Sequence, residues 1–97
     1  MAKKKQQWKE DLIMCPSQCY CYFEADSIQY CIYLRWRGGD PWTAQLVPLL
    51  PDGRFGNYLE WEFLDVSDYV HDGYKNLEKE CIRLIEKRFK NIIWQQK

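Results

Sequence analysis

Residues 18–37 read QCYCYFEADSIQYCIYLRWR, which is two alternating segments on either side of Asp26-Ser27. Both segments are rich in Tyr, Ile, Cys, Phe and Trp, and apolar and polar side chains alternate as they do along half-buried β-strands. Asp and Ser favour a tight turn between strands, although less strongly than Asn-Gly or Asp-Gly. The pattern therefore predicts a β-hairpin with strands over 18–25 and 28–37.

A two-residue turn fixes which side chains of this hairpin face each other, because side chains alternate with a period of two. The predicted cross-strand pairs are Ala25–Ile28, Phe23–Tyr30, Cys21–Ile32, Tyr20–Tyr33 and Cys19–Leu34. The apolar face comprises Cys19, Cys21, Phe23, Ile28, Tyr30, Ile32, Leu34 and Trp36. The opposite face carries Tyr20, Tyr22, Glu24, Gln29, Cys31, Tyr33, Arg35 and Arg37.

Turn residues and further alternation extend the hairpin into a sheet. The sequence Gly-Gly-Asp-Pro at 38–41 predicts a chain reversal, and a third strand follows over 42–49. Pro48 cannot donate a backbone hydrogen bond, so this strand either lies at an edge or leaves the sheet there. After a loop over 51–57, residues 58–64 alternate as a fourth strand. In that strand we expect Leu59, Trp61 and Phe63 to point inward and Glu60 and Glu62 to point outward.

The C-terminal region has the spacing of an amphipathic helix, predicted over about 73–94 with Asp72 as N-cap. The residues that recur at helical spacing are Tyr74, Leu77, Cys81, Leu84, Ile85, Arg88 and Ile92. Residues 8–14 fit a short helix or a strand. The expected fold is α+β, with a four-stranded antiparallel β-meander packed by one long C-terminal amphipathic α-helix. We expect a single domain over 1–97, in which residues 1–7 form a flexible basic tail.

Composition excludes several protein classes. The 97 residues are 46% hydrophobic and 16% aromatic, which argues against intrinsic disorder. No apolar run approaches the 18 residues of a membrane span, and the N-terminus lacks the apolar region of a signal peptide. We therefore expect a cytoplasmic protein without membrane association.

The formal net charge of zero conceals an uneven distribution. Residues 12–73 carry three bases against nine acids, whereas residues 74–97 carry seven bases against three acids. An acidic stretch of this kind either is solvated or faces a basic partner. The acidic candidates for partner binding are Glu60, Glu62, Asp65, Asp68 and Asp72.

The cysteine spacing does not predict a metal site. Cys19 and Cys21 lie on one strand and Cys31 points to the opposite face, whereas structural zinc sites draw ligand pairs from short turns. We expect buried free thiols instead. Glu60 and Glu62, with Asp65 or Asp68, offer oxygen ligands for Mg²⁺, but neither a pocket nor a second ligand cluster is evident. With His71 as the sole histidine, we expect no enzyme activity, no metal and no cofactor.

Three binding hypotheses remain. The first is a small protein-binding module, a stoichiometric inhibitor or regulator of a host protein. One version is a phage-type anti-defence protein whose acidic and aromatic surface blocks a nuclease by imitating nucleic acid. The second is a single-stranded RNA or DNA binder that stacks bases on tyrosines beside arginines. The third is a homodimer rather than a monomer. The aromatic and basic candidates for partner binding are Tyr20, Tyr22, Tyr33, Arg35, Arg37 and Trp42.

Overall fold

The computed structural model describes residues 6–13, 16–37, 42–66 and 74–95. The elements in chain order are the strands β1 (Trp8–Asp11), β2 (Ser17–Ala25), β3 (Ile28–Trp36) and β4 (Thr43–Pro48), a 3-10 turn (Tyr58–Glu60), β5 (Glu62–Phe63), the helix α1 (Tyr74–Arg88) and β6 (Ile93–Trp94). The fold is α+β, with an antiparallel sheet and a C-terminal helix, as expected.

The central hairpin has the predicted register throughout. Ala25 pairs with Ile28, Tyr20 with Tyr33, and Cys19 with Leu34. Asp26 and Ser27 have φ values of 54° and 65°, which place both in the left-handed region. Two consecutive residues of this kind make a hairpin turn whose twist matches that of the flanking strands. Local turn chemistry and alternation were therefore sufficient to predict this part of the sheet.

The described residues form a sheet of six strands, so the prediction of four was too low. The strand order is β1-β2-β3-β4-β5, and β6 also pairs with β2. Because β1 pairs with residues 18–21 and β6 with residues 23–24, the two short strands lie end to end along the same edge of β2. The ambiguous segment after Trp8 is thus a strand, stabilised by pairing that local sequence does not reveal.

The predicted fourth strand over 58–64 is largely wrong. Tyr58–Glu60 form the 3-10 turn, in which the Asn57 side chain accepts a hydrogen bond of 2.9 Å from the Leu59 amide. Only Glu62 and Phe63 pair with β4. A capping Asn gives the backbone a local alternative to strand pairing, which overrides the alternation.

The predicted helix over 73–94 is too long, because α1 ends at Arg88. Asn91 has a φ of 56°, which reverses the chain and returns it to the sheet as β6. The Gln95 amide then donates a 3.0 Å hydrogen bond to the Tyr22 carbonyl. Ile93 and Trp94 favour a strand, and Trp94 is buried against the sheet. The proposed N-cap Asp72 lies outside the described residues.

The main core lies between the sheet and α1. Leu77, Cys81 and Ile85 of α1 are fully buried against the helix-facing side of β2, β3 and β4. A smaller cluster on the opposite side contains Cys31 and other residues described below. The four described cysteines are free and buried, as expected, and they are Cys19, Cys21, Cys31 and Cys81. Cys15 lies outside the described residues.

Candidate functional site

The tyrosines of the outer sheet face form a tight cross-strand pair. The rings of Tyr20 and Tyr33 stack with centroids 5.3 Å apart. Gln18 bridges the two phenols, since its Nε2 donates a 2.9 Å bond to the Tyr33 hydroxyl and its Oε1 accepts one from Tyr20. Burial raises the pKa of Tyr20 and Tyr33, and it raises the pKa of the adjacent Tyr22 to about 12. All three are therefore neutral phenols near pH 7.

The segment between β4 and β5 folds back over this face and covers the tyrosines. Phe55 and Trp61 contact the Tyr33 ring edge-on, at centroid distances of 5.8 and 6.1 Å. The Trp61 indole is fixed by a 3.1 Å hydrogen bond from Nε1 to the Gly56 carbonyl. Tyr33 is consequently only 8% exposed. The outer face is a second small core and does not present a free ring surface at Tyr33.

The structure separates the remaining aromatic and basic candidates. Arg35 is half-buried on the tyrosine face, and its Nε has no hydrogen-bond partner among the described residues. Arg37 is exposed beyond the end of β3. Trp42 instead stacks on Trp36 and contacts Tyr74 of α1, so it packs on the helix side. The six aromatic and basic candidates therefore do not form one surface.

The acidic candidates are also separated. Glu62 is opposite Leu46 in the β4–β5 register, which places it on the helix side, where it pairs with Arg88 at 2.5 Å. Glu60 lies in the 3-10 turn, so the prediction that Glu60 and Glu62 share an outward face is wrong. Asp65 is exposed, and Asp68 and Asp72 lie outside the described residues. The turn before β5 changes the direction of the side chains that follow it.

Three large apolar side chains that are close together in the sequence are exposed, and two of them were predicted to be buried. Tyr58 is 65% exposed, Leu59 is 88% exposed and Phe63 is 65% exposed, and all three lie within six residues. With the exposed Glu60, we call this group the 58–63 surface. Leu59 and Phe63 were predicted to point inward, and that expectation is wrong. Asn57, recognised as a cap, would have been the signal for a turn at this point.

The 58–63 surface has a rigid base. Glu60 N donates a 2.9 Å hydrogen bond to the Asn57 carbonyl, and the Trp61 amide donates one of 3.1 Å to the Tyr58 carbonyl. The Tyr58 and Trp61 rings are also in contact, at 4.9 Å between centroids. A cap, a turn and a ring contact therefore support the backbone over residues 57–61, beneath Tyr58 and Leu59.

Carboxylates flank the 58–63 surface. Glu60 and Asp65 form no ion pair with any residue in the described ranges, whereas Asp52, in the loop after β4, is paired with Arg54 at 2.7 Å. Exposed apolar side chains beside unpaired carboxylates suit a partner surface that offers an apolar pocket and a cation.

Among the residues that the structure describes, no helix has the length and apolar character needed to cross a bilayer. Comparison of the chain with protein families, with curated proteins and with solved structures finds no match.

Proposed function

We propose that this chain is a small protein-binding module that acts as a stoichiometric inhibitor or regulator of another protein, docking through the 58–63 surface. The observation that carries the proposal is the exposure of Tyr58 and Leu59 on a capped turn and of Phe63 on the short strand that follows it. Scattered exposed apolar residues are normal on any protein. A group of this size next to a sheet edge is typical of an interaction site.

The energetics favour an apolar anchor. Burial of one large apolar side chain contributes about 1.5–3 kcal/mol, so three such side chains offset a substantial part of the cost of association. A turn that is already rigid loses little conformational entropy on docking. We therefore assign most of the binding energy to Leu59 and Phe63, with Tyr58 as a third contact.

The charge beside the 58–63 surface indicates which class of protein it binds. Glu60 and Asp65 leave negative charge beside the apolar group, which favours a basic protein surface, such as that of a nucleic-acid-binding nuclease. Glu62 forms an ion pair with Arg88, so it is not available as a free negative charge. Fewer carboxylates are therefore left to imitate a phosphate backbone than the sequence predicted. We therefore expect the charges to steer the encounter and the apolar contacts to supply the affinity.

Binding of single-stranded nucleic acid remains the alternative function. It needs accessible ring faces at Tyr20, Tyr22 and Tyr33, and the cover over Tyr33 by Phe55 and Trp61 does not favour it. Recovery of nucleic acid is therefore an outcome of the test below.

The proposal is tested by affinity purification from a lysate, with nuclease treatment, using three forms of the chain. These are the native chain, the double variant Leu59→Ser/Phe63→Ser, and the control Ile13→Thr/Ile93→Thr. The control removes apolar groups that are 97% and 53% exposed elsewhere on the molecule. We expect a protein partner in equimolar amount with the native chain and the control, and its loss with Leu59→Ser/Phe63→Ser.

The purified partner then allows the affinity to be measured by calorimetry. Each serine substitution should weaken binding by about 2 kcal/mol or more, as for central interface residues. Glu60→Lys should slow association and reduce its dependence on salt. A partner that binds the double variant and the control equally well would contradict the proposed surface. Nucleic acid recovered alone, and lost after nuclease treatment, would support the alternative function.

A further inference from the structure

A buried carboxyl group in α1 lies apart from the 58–63 surface. Glu78 is only 5% exposed and follows Leu77 of the buried helix stripe. Its Oε2 is buried and has no hydrogen-bond partner among the described residues. A buried polar atom without a partner costs free energy that most proteins avoid. This oxygen is therefore available to carry a proton or to bind a cation, while the other carboxylate oxygen of Glu78 faces the Lys75 ammonium.

Two further ligand-type side chains face Glu78 from the sheet. Cys19 of β2 is fully buried, and Glu10 of β1 is directly opposite Cys19 in the strand register. The Cys19 Sγ and one carboxylate oxygen from each glutamate lie within 4.8 Å of one another. The elements β1, β2 and α1 thus bring one sulfur atom and two carboxylates close together at the edge of the core.

We propose that Glu10, Cys19 and Glu78 form a binding site for a divalent transition metal ion, with Zn²⁺ as the best match. Zn²⁺ is borderline-soft and accepts both thiolate sulfur and carboxylate oxygen, whereas Mg²⁺ takes oxygen ligands and binds poorly beside a thiol. Three protein ligands leave a fourth position open for water or another small ligand.

Binding of the ion requires the three ligand atoms to come closer together. Zinc bonds of about 2.3 Å to sulfur and about 2.1 Å to oxygen place tetrahedral ligand atoms about 3.5 Å apart. The present separations, at most 4.8 Å, must shorten to that value when the ion binds. A cleft of about 270 Å³ reaches Glu78 from solvent and gives the ion a route of entry. Its other lining residues are Gln6, Trp8, Lys75, Lys79 and Ile82.

Protons and Lys75 are the competitors for this site. Burial and the adjacent Glu10 carboxylate raise the pKa of Glu78 to about 8, and burial raises that of Cys19 to about 12. A bound Zn²⁺ replaces the Cys19 thiol proton, which passes to solvent. The Lys75 ammonium lies 2.7 Å from Glu10 and 3.7 Å from Glu78. Because the Lys75 side chain is 64% exposed, it can move aside when the dication binds.

The test uses the untagged, chelator-treated chain and Co²⁺ as a spectroscopic probe of the zinc site. Co²⁺ bound to a thiolate shows sulfur-to-metal charge-transfer absorption in the near ultraviolet. We expect these bands to saturate at one equivalent and to disappear when Zn²⁺ is added. Cys19→Ala should abolish them, and Glu78→Gln should weaken metal binding at least tenfold.

Two matched controls separate the site from its surroundings. Cys21→Ala removes an equally buried thiol from the same strand face, and Glu86→Gln removes an exposed carboxylate from α1. Both should leave the Co²⁺ spectrum unchanged. Absence of charge-transfer bands in the native chain, or bands that persist in Cys19→Ala, would overturn the proposal.

A third variant keeps the test decisive if Cys19→Ala does not fold. Lys75→Gln removes the competing ammonium at an exposed position and should tighten Zn²⁺ binding about threefold to tenfold. Unchanged or weaker Zn²⁺ affinity in Lys75→Gln would place the ion elsewhere. A native chain without Co²⁺ absorption bands, together with a stably folded Glu78→Gln variant, would show that the carboxyl groups of Glu10 and Glu78 only share a proton. That result would also overturn the proposal.

Discussion

At the scale of single residues, the ion pair between Glu62 and Arg88 shows how a side chain connects distant parts of the chain. Glu62 lies on the edge strand β5 and Arg88 is the last residue of α1. The Glu62 side chain is 50% exposed and that of Arg88 is 47% exposed, so solvent screens much of the attraction. The pair therefore positions β5 relative to the helix end more than it stabilises the fold.

Glu62→Gln should lower the free energy of unfolding by less than about 1 kcal/mol at pH 7. The hydrogen bond from Arg88 holds the pKa of Glu62 below its ordinary value of 4.5. The stabilisation is therefore present above pH 4.5 and is lost as the pH falls through the lower, folded-state pKa. Urea unfolding at pH 7 and at pH 3 measures the difference. Glu60→Gln is the control, and an equal loss in both variants would rule out a specific role for the pair.

Gly56 is the second residue whose environment makes a clear prediction. A Cβ at this position would lie 2.8 Å from the Pro48 carbonyl oxygen, to which the Gly56 amide also donates a 2.8 Å hydrogen bond. Gly56→Ala should therefore force the loop away from β4 and cost about 1–3 kcal/mol. Near-ultraviolet circular dichroism should report the altered Trp61 environment. A variant with native stability and an unchanged spectrum would contradict this close approach.

At the scale of elements, the central hairpin depends on a turn made without glycine. Asp26 and Ser27 both adopt positive φ, which costs a residue with a Cβ about 1–2 kcal/mol unless it is Asn or Asp. The turn geometry is favourable for the twist of the strands, but the side chain at position 27 is not suited to it. The protein thus retains some strain at this turn.

Replacing the turn by Asn-Gly, through Asp26→Asn and Ser27→Gly, should stabilise the protein by about 1 kcal/mol. The midpoint of urea unfolding should rise while the slope stays unchanged. Ser27→Ala is the matched control, because it keeps a Cβ at positive φ and should give no gain. A decrease in stability for the Asn-Gly variant would show that the Asp26 or Ser27 side chain makes a contact worth more than the strain.

At the scale of the whole molecule, β6 returns the chain from α1 to the sheet, where it pairs with β2 beside β1. Trp94 is 7% exposed and packs on Phe23 with ring centroids 5.3 Å apart. Together, β1 and β6 cover the edge of β2, which would otherwise expose backbone hydrogen-bonding groups. The C-terminal return therefore both fills the core and protects a central strand.

Trp94→Ala should cost about 3–5 kcal/mol, a large fraction of the roughly 5–15 kcal/mol that stabilises a domain of this size. Ile93→Thr changes the neighbouring residue, which is 53% exposed, and should cost much less. Urea unfolding followed by circular dichroism compares the two. Equal losses would mean that strand pairing, and not burial of Trp94, holds the C-terminus.

The two proposed sites lie at opposite edges of the sheet. Glu10 and Cys19 belong to β1 and β2, whereas Phe63 belongs to β5, three strand spacings or about 14 Å from β2. Substitutions that far apart should act independently. Leu59→Ser/Phe63→Ser should retain the Zn²⁺ affinity of the native chain, and Lys75→Gln should retain its affinity for the protein partner. A change of more than threefold in either measurement would indicate that the sites are coupled.

Much of the sheet follows from short-range patterns in the amino-acid sequence. Alternation and a two-residue turn were enough to predict the register of β2 and β3, including the Tyr20–Tyr33 pair, because a hairpin has few alternative pairings. Helical spacing was enough to predict most of α1 and its buried stripe at Leu77, Cys81 and Ile85. Composition also favoured a folded chain with a real core.

The tertiary structure decided which strands pair and which side chains of separate elements meet. The two edge strands β1 and β6 depend on pairing with β2, which lies far away along the chain from β6, whereas the turn at Tyr58–Glu60 and the chain reversal at Asn91 are set by neighbouring residues that the alternation and helical patterns did not reveal. The meeting of Glu10, Cys19 and Glu78 depends on the packing of β1, β2 and α1 against one another. Local sequence specifies the direction of side chains only within an element. The positions at which separate elements meet are determined by the free energy of burying their apolar faces against each other. That free energy depends on several segments at once, so the sequence of one segment does not reveal it.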